Sequence, residues 1–187
     1  LRRRQRQMCI RDRRDLKYLA FYHAVLDSAS RPEHVAEALF ENFKPELLEE
    51  ADGFYKYRAN IERGTKHCWV IYLTPYTARL LMELHERGEV LTFEGWKSWI
   101  RRRPCGVTKR LDGKVESLPL RLKWIRKFAM NMMRKVGLER DMVQFLAGEK
   151  PQGVDAEHYI DLEGLADEKY PDYAKYVEEL RRRALED

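Results

Sequence analysis

Apolar residues recur at helical spacing from Asp15 to Leu26, behind a capping aspartate, and predict a first helix. Ser28-Ala29-Ser30-Arg31 interrupts the pattern. Pro32 suits the first turn of a second helix reaching about Phe43, with Val35, Ala38, Leu39 and Phe43 on its inner face, and a short third helix is expected from Pro45. Period-two alternation then takes over from Tyr55 to Ile61, followed beyond Glu62-Arg63-Gly64-Thr65 by a β-rich stretch from Lys66 to Leu73. The pattern is that of a β-hairpin. Helical spacing returns at Pro75 to His85 and at Phe93 to Ile100. Residues 101–116 are charged and broken by Pro104, Gly106 and Gly113, which predicts a surface loop. Leu118 to Val136 reads as the longest helix, with Trp124 and Phe128 buried and Met130, Met132 and Met133 as core packing. A helix at Arg140 to Ala147, a loop through residues 148–153, a short helix holding Tyr159 and a last amphipathic helix from about Asp167 to Leu185 complete the chain.

The pattern implies an α+β, mostly helical fold, and 187 residues suffice for one domain of ordinary size. Apolar residues make up 44% and charged residues 36%, the balance of a folded chain with a charged exterior. The longest apolar run, Cys68 to Leu73, falls far short of a bilayer crossing, so no membrane partner is expected and the cytoplasm is the default location. Cys9, Cys68 and Cys105 form no CxxC pair, and the five histidines no HxxxH. Neither a disulfide framework nor a metal site is expected, and no cofactor motif is present.

The formal charge of +5 invites a nucleic-acid reading, but removing the six arginines and one aspartate of residues 1–13 takes it to zero. Arg3-Arg4-Gln5-Arg6-Gln7-Met8-Cys9-Ile10-Arg11-Asp12 resembles the translation of a common transposase-based sequencing adapter. Residues 1–13 are therefore expected to be a non-native leader, with 14–187 as the domain. A basic arm on DNA backbone is the alternative reading of the same run.

Three segments carry candidate chemistry. Lys123-Trp124-Ile125-Arg126 sets a lysine three positions before an arginine on one helix, Glu157-His158-Tyr159-Ile160 follows about thirty residues later, and Arg31 and Lys66 lie upstream. Breaking a phosphodiester without a metal needs a nucleophile, cationic donors for the non-bridging oxygens and an acid for the leaving alkoxide. Tyrosine has a pKa of about 10, so ionising it at neutral pH costs about 4 kcal/mol, which neighbouring fixed cations offset. Two arginines grip a phosphate through several charge-assisted bonds in a planar geometry that lysine does not reproduce.

In that order and spacing the chain resembles the catalytic domain of tyrosine recombinases, above all archaeal, fusellovirus-type integrases, over about residues 15–180. The resemblance implies a site-specific recombinase that cleaves and rejoins double-stranded DNA through a 3′-phosphotyrosyl intermediate, without cofactor. Tyr159 would be the nucleophile, Arg31 and Arg126 the phosphate clamp, Lys66 the proton donor to the 5′ oxygen, and Lys123 a further phosphate contact. Lys150 and His158 would be auxiliary. It also implies a homotetramer on DNA, in which the last helix docks on a neighbour, and a DNA-clamping domain ahead of this one that the sequence does not supply.

Three positions depart from the family's pattern. Ala29 stands where a glycine is usual, His34 where an acid is usual, and Gly148-Glu149-Lys150 where Gly-Arg is expected. The last puts a carboxylate beside the scissile phosphate. Each candidate also has an ordinary reading: Tyr159 as a packing aromatic, Arg126 and Lys66 as surface charges, Arg31 as a helix-start residue, and Arg101-Arg102-Arg103 as a solvated run. A non-catalytic DNA-binding remnant and a type IB topoisomerase are the competing functions.

Overall fold

The structure, a computed structural model, describes residues 16–63, 66–101, 106–111, 114–119, 121–149 and 156–186. At 63, 66, 106–111, 114–119, 156–161 and 185–186 the backbone alone is described. Helices α1 (Leu16–Ser28) and α2 (Pro32–Ala36) precede β1 (Leu48–Ala51), β2 (Phe54–Arg63) and β3 (Lys66–Leu73). Then follow α3 (Pro75–Glu86), α4 (Phe93–Arg101), the strands β4 (Gly106–Leu111) and β5 (Lys114–Pro119), and α5 (Leu122–Lys135), α6 (Arg140–Leu146) and α7 (Ala156–Glu186). The fold is α+β and mostly helical, as the sequence pattern predicts.

A three-stranded antiparallel sheet, ordered β1-β2-β3, lies at the centre with Leu48 opposite Tyr57 and Tyr57 opposite Ile71. Both faces are covered, which is why residues 68–73 read as one apolar run rather than a clean alternation. Tyr57, Ile71 and Leu73 point into a core shared with Phe21 and Val25 of α1, Leu39 after α2, Leu81 and Leu84 of α3 and Trp96 of α4. Phe54, Val70 and Tyr72 enter a second core with Met133 of α5, Val143 and Leu146 of α6, and Tyr170, Tyr173 and Val177 of α7. Helix α5 bridges the two, burying Leu122 in the first and Ala129 and Met133 in the second.

Five local expectations need correction. The second helix stops at Ala36 and loosens into a π-turn over Glu37–Glu41. The expected third helix is a 3₁₀ turn, Pro45–Leu47, followed by β1, whose acidic sequence becomes a strand because it pairs with β2. Residues 106–111 and 114–119 pair antiparallel as β4 and β5 rather than forming a loop, so α5 begins at Leu122 rather than Leu118. Trp124 and Phe128 are 41% and 38% exposed, because the inward stripe of α5 runs through Leu122, Ala129 and Met133 on the opposite side. Finally, the Tyr159 helix and the last helix are one element of 31 residues. Gly164 disfavours helix by about 1 kcal/mol, but the stripe Ala166, Tyr170, Tyr173, Ala174 and Val177 is almost wholly buried and carries the helix through it.

That stripe seats α7 on its own chain. Tyr170 and Tyr173 donate to the carbonyls of Asp27 and Leu26 at 3.1 and 2.6 Å. Arg181 reaches Asp27, Thr77 and Thr74 in the interior, and Lys56 and Arg58 of β2 hold Glu163 and Asp167 at its other end.

Candidate functional site

Arg31 owes its position to the proline after it. A residue before proline avoids helical dihedrals, and Arg31 sits at φ −63°, ψ 132° with Pro32 in the first turn of α2. The preceding turn is built from hydroxyls. Ser28 Oγ donates to the Ala24 carbonyl and accepts from the Ser30 amide, while Ser30 Oγ donates to the Leu146 carbonyl across to α6. Between them Ala29 adopts φ +53°, fully buried. Its carbonyl turns toward α5.

Arg126, in the second turn of α5, fills the space thus created. Its Nε donates to Ala29 O at 2.8 Å, and its Nη2 donates to Ala147 O at 3.2 Å and to Glu149 Oε1 at 2.6 Å. The same Glu149 oxygen lies 3.8 Å from Arg31 Nη2. Two arginines distant in sequence therefore converge on one carboxylate oxygen, Arg126 by a hydrogen bond and Arg31 as an ion pair, and Arg126 is held in addition by the Ala29 and Ala147 carbonyls. Arg31 Nε is buried without a hydrogen-bond partner among the described residues.

The strand that begins with Lys66 runs beside this pair. Gly148 adopts φ +68° and a Cβ there would come within 2.8 Å of the His67 carbonyl oxygen, so the α6 exit packs directly against β3 and admits no side chain. One residue further, Cys68 Sγ lies 3.9 Å from Ser30 Oγ. Burial pushes its thiol up to about 12, against the opposing pull of the Ser30 hydrogen bond and of Arg126 and Arg31. Cys68 is thus a protonated packing residue, not a nucleophile.

A groove of about 570 Å³ opens from the arginine pair between α4 and α5. Arg31, Lys97, Arg101, Arg121, Lys123, Arg126 and Lys127 line it, with Glu33 as the acid and Trp96, Ile100 and Leu122 forming its apolar base. A concave surface of this charge favours a polyanion.

Of the residues expected from sequence, Arg31, Arg126 and Lys123 share this site. Lys66 opens β3, and His158 and Tyr159 lie in the first turn of α7, their backbones described and their side chains not. Lys150, like Cys9, Cys105 and the leader, lies outside the described residues. The sequence reading missed the cations of α4 and α5 beyond Lys123, namely Lys97, Arg121 and Lys127. Lys123 and Lys127 are four apart and Lys97 and Arg101 likewise, a repeat that puts each pair on one helix face and was open to inspection. It also missed the direct contact of Glu149 with the arginines. Among the described residues no group of three or more metal-ligating side chains occurs, and no described helix is long and apolar enough to cross a membrane.

A family model for archaeal phage integrases matches residues 4–176 of the chain. No curated protein matches it.

Proposed function

Because the chain belongs to the archaeal phage integrase family, and so to proteins whose partner is DNA, we propose that it is a tyrosine-type site-specific recombinase. Tyr159 attacks a phosphorus of double-stranded DNA, the bond to the 5′ oxygen breaks, and a 3′-phosphotyrosyl link forms. Arg31 and Arg126 donate to the non-bridging oxygens as charge builds on them. Lys66 hands a proton to the departing 5′ oxygen, and Lys123 adds a cation on the same side. A 5′ hydroxyl from a partner strand then attacks the phosphotyrosine and releases Tyr159. One phosphate ester replaces another in each step, so the energy of the broken bond is conserved and no nucleotide is consumed. His158 and Lys150 are auxiliary, and the working unit is a homotetramer on DNA.

The observation that supports this reading is the convergence of Arg31 and Arg126 on a single oxygen, beside the strand that starts at Lys66. A suicide duplex that loses its 5′ hydroxyl after cleavage traps the intermediate. The expected result is a covalent protein–DNA adduct from the native chain and none from Tyr159→Phe. No adduct from the native chain would refute the enzyme and favour the second reading, a DNA-binding remnant. That alternative draws on Glu149, whose carboxylate sits on the arginine pair. Relaxation of supercoiled DNA without strand exchange would instead point to type IB topoisomerase activity.

A further inference from the structure

Glu149 carries a carboxylate into the place where two guanidinium groups meet. Its Oε1 accepts from Arg126 Nη2 at 2.6 Å and lies 3.8 Å from Arg31 Nη2. A phosphate oxygen gripped by the same two arginines would need that position, since each presents charge-assisted donors to it.

The backbone under Glu149 is fixed. Gly148 is wedged against His67 O, and the Glu149 amide donates to Gln144 O at 2.8 Å. The side chain is not fixed in the same way: it is 30% exposed, so a rotamer change carries the carboxylate into solvent without moving α6 or β3. The carboxylate also leaves donors unused. Arg31 Nε is buried with no hydrogen-bond partner among the described residues, and a tetrahedral phosphate brings more acceptor oxygens than a carboxylate.

We infer that Glu149 is a built-in anion that occupies the phosphate seat between Arg126 and Arg31 in the DNA-free chain and is displaced by the incoming phosphate. The inference rests on the reading of those arginines as a phosphate clamp. It gives Glu149 two effects on that clamp. In the absence of DNA it offsets one of the two adjacent positive charges and holds the Arg126 guanidinium in place. When an anion arrives, only the difference between the two anions is gained, so weakly held phosphates are rejected. A phosphate whose neighbours are also held by Lys97, Lys127 and Arg121 of the groove gains enough to displace it.

The test is calorimetric titration of inorganic phosphate into the native chain, Glu149→Gln, Glu149→Ala and the double variant Glu149→Gln/Arg31→Gln. Gln keeps the shape and an acceptor for Arg126, which guards against loss of fold, and thermal melting checks each protein. Glu149→Gln and Glu149→Ala should bind phosphate about tenfold more tightly than the native chain, the effect of removing one charge beside the ligand, and the double variant should lose that gain. Equal affinity in native and both single variants would overturn the inference, as would a gain that survives Arg31→Gln. Phosphate titration does not involve Tyr159. A tighter site with no DNA adduct therefore refutes the recombinase reading alone, and an adduct with unchanged phosphate affinity refutes the role of Glu149 alone.

Discussion

Ala29 shows how much of the site depends on one backbone angle. At φ +53° an L-residue with a Cβ is strained by about 1–2 kcal/mol, and the strain is what aims its carbonyl at Arg126 Nε. Glycine would remove the strain, but it costs about 0.5–1 kcal/mol in chain entropy and up to about 0.8 kcal/mol of buried methyl. Ala29→Gly should therefore shift unfolding stability by less than about 1 kcal/mol in either direction, while Ala29→Val, β-branched in the left-handed region and overpacked, should lose more than about 2 kcal/mol. Urea unfolding of both variants measures this. The sequence marks Ala29 as an unusual residue at a turn, but the carbonyl it presents to Arg126 becomes visible only once α5 is packed against α1. Glu149 teaches the same lesson. A carboxylate at that position is legible in the chain, whereas its contact with two arginines from distant segments is a product of the tertiary fold.

At the scale of elements, α7 is held at its far end by a buried ion pair. Asp27 is fully buried and Arg181 nearly so, and the guanidinium also serves Thr74, Thr77 and His23. Asp27→Asn removes the buried counter-ion of Arg181 and leaves it only the more exposed Glu178, 3.1 Å away, and should cost up to about 3–5 kcal/mol in unfolding stability. His23 reports on the same contact through pH. Burial first, and then Arg181 beside it, hold its pKa down to about 3, so its Nδ1 stays free to accept from Arg181 Nε. The unfolded chain binds that proton near pH 6.5 and the folded chain does not, so stability is complete above about pH 6.5 and falls as the pH drops toward 3. His23 is partly exposed, which keeps the slope below the limit of about 1.4 kcal/mol per pH unit. His23→Gln, which accepts the same hydrogen bond without titrating, should flatten the stability profile between pH 4 and 6.5. Denaturant melts across that range test it.

Helices α1, α3 and α4 were legible because their apolar stripes are self-contained, and each follows the sequence pattern to within two or three residues. The misread elements take their form from a partner. β1 is a strand by virtue of β2, and β4 and β5 pair two charged segments whose local sequence, rich in lysine, arginine and glycine, looks like a loop. The union of the Tyr159 helix with the last helix follows in the same way from the two tyrosines that α7 buries against α1.

At the scale of the molecule, the two cores meet at α5, and the cationic groove opens over the first of them, on Trp96, Ile100 and Leu122. This geometry separates two sources of positive charge that the composition merges. One is the arginine-rich run of residues 1–13, and the other is the wall formed by α4 and α5. If the groove is the DNA surface, affinity for duplex DNA should fall with salt in proportion to the phosphates it neutralises, by a slope of about 0.9 per contact. Replacing Lys97, Arg101 and Lys127 together by glutamine should then reduce that slope by up to about 2.7, with no change in fold, because all three line the open groove and none contributes to either core. A chain beginning at residue 14 should retain the part of the slope that the triple variant loses. Fluorescence anisotropy with a labelled duplex, across a salt series, measures all three proteins. A slope unchanged in the triple variant but abolished by removing residues 1–13 would assign DNA binding to the basic run instead. The expected pattern is the reverse, because the groove cations stand beside the arginine pair that must hold the reacting phosphate, and their neighbouring phosphate contacts are what allow that phosphate to displace Glu149.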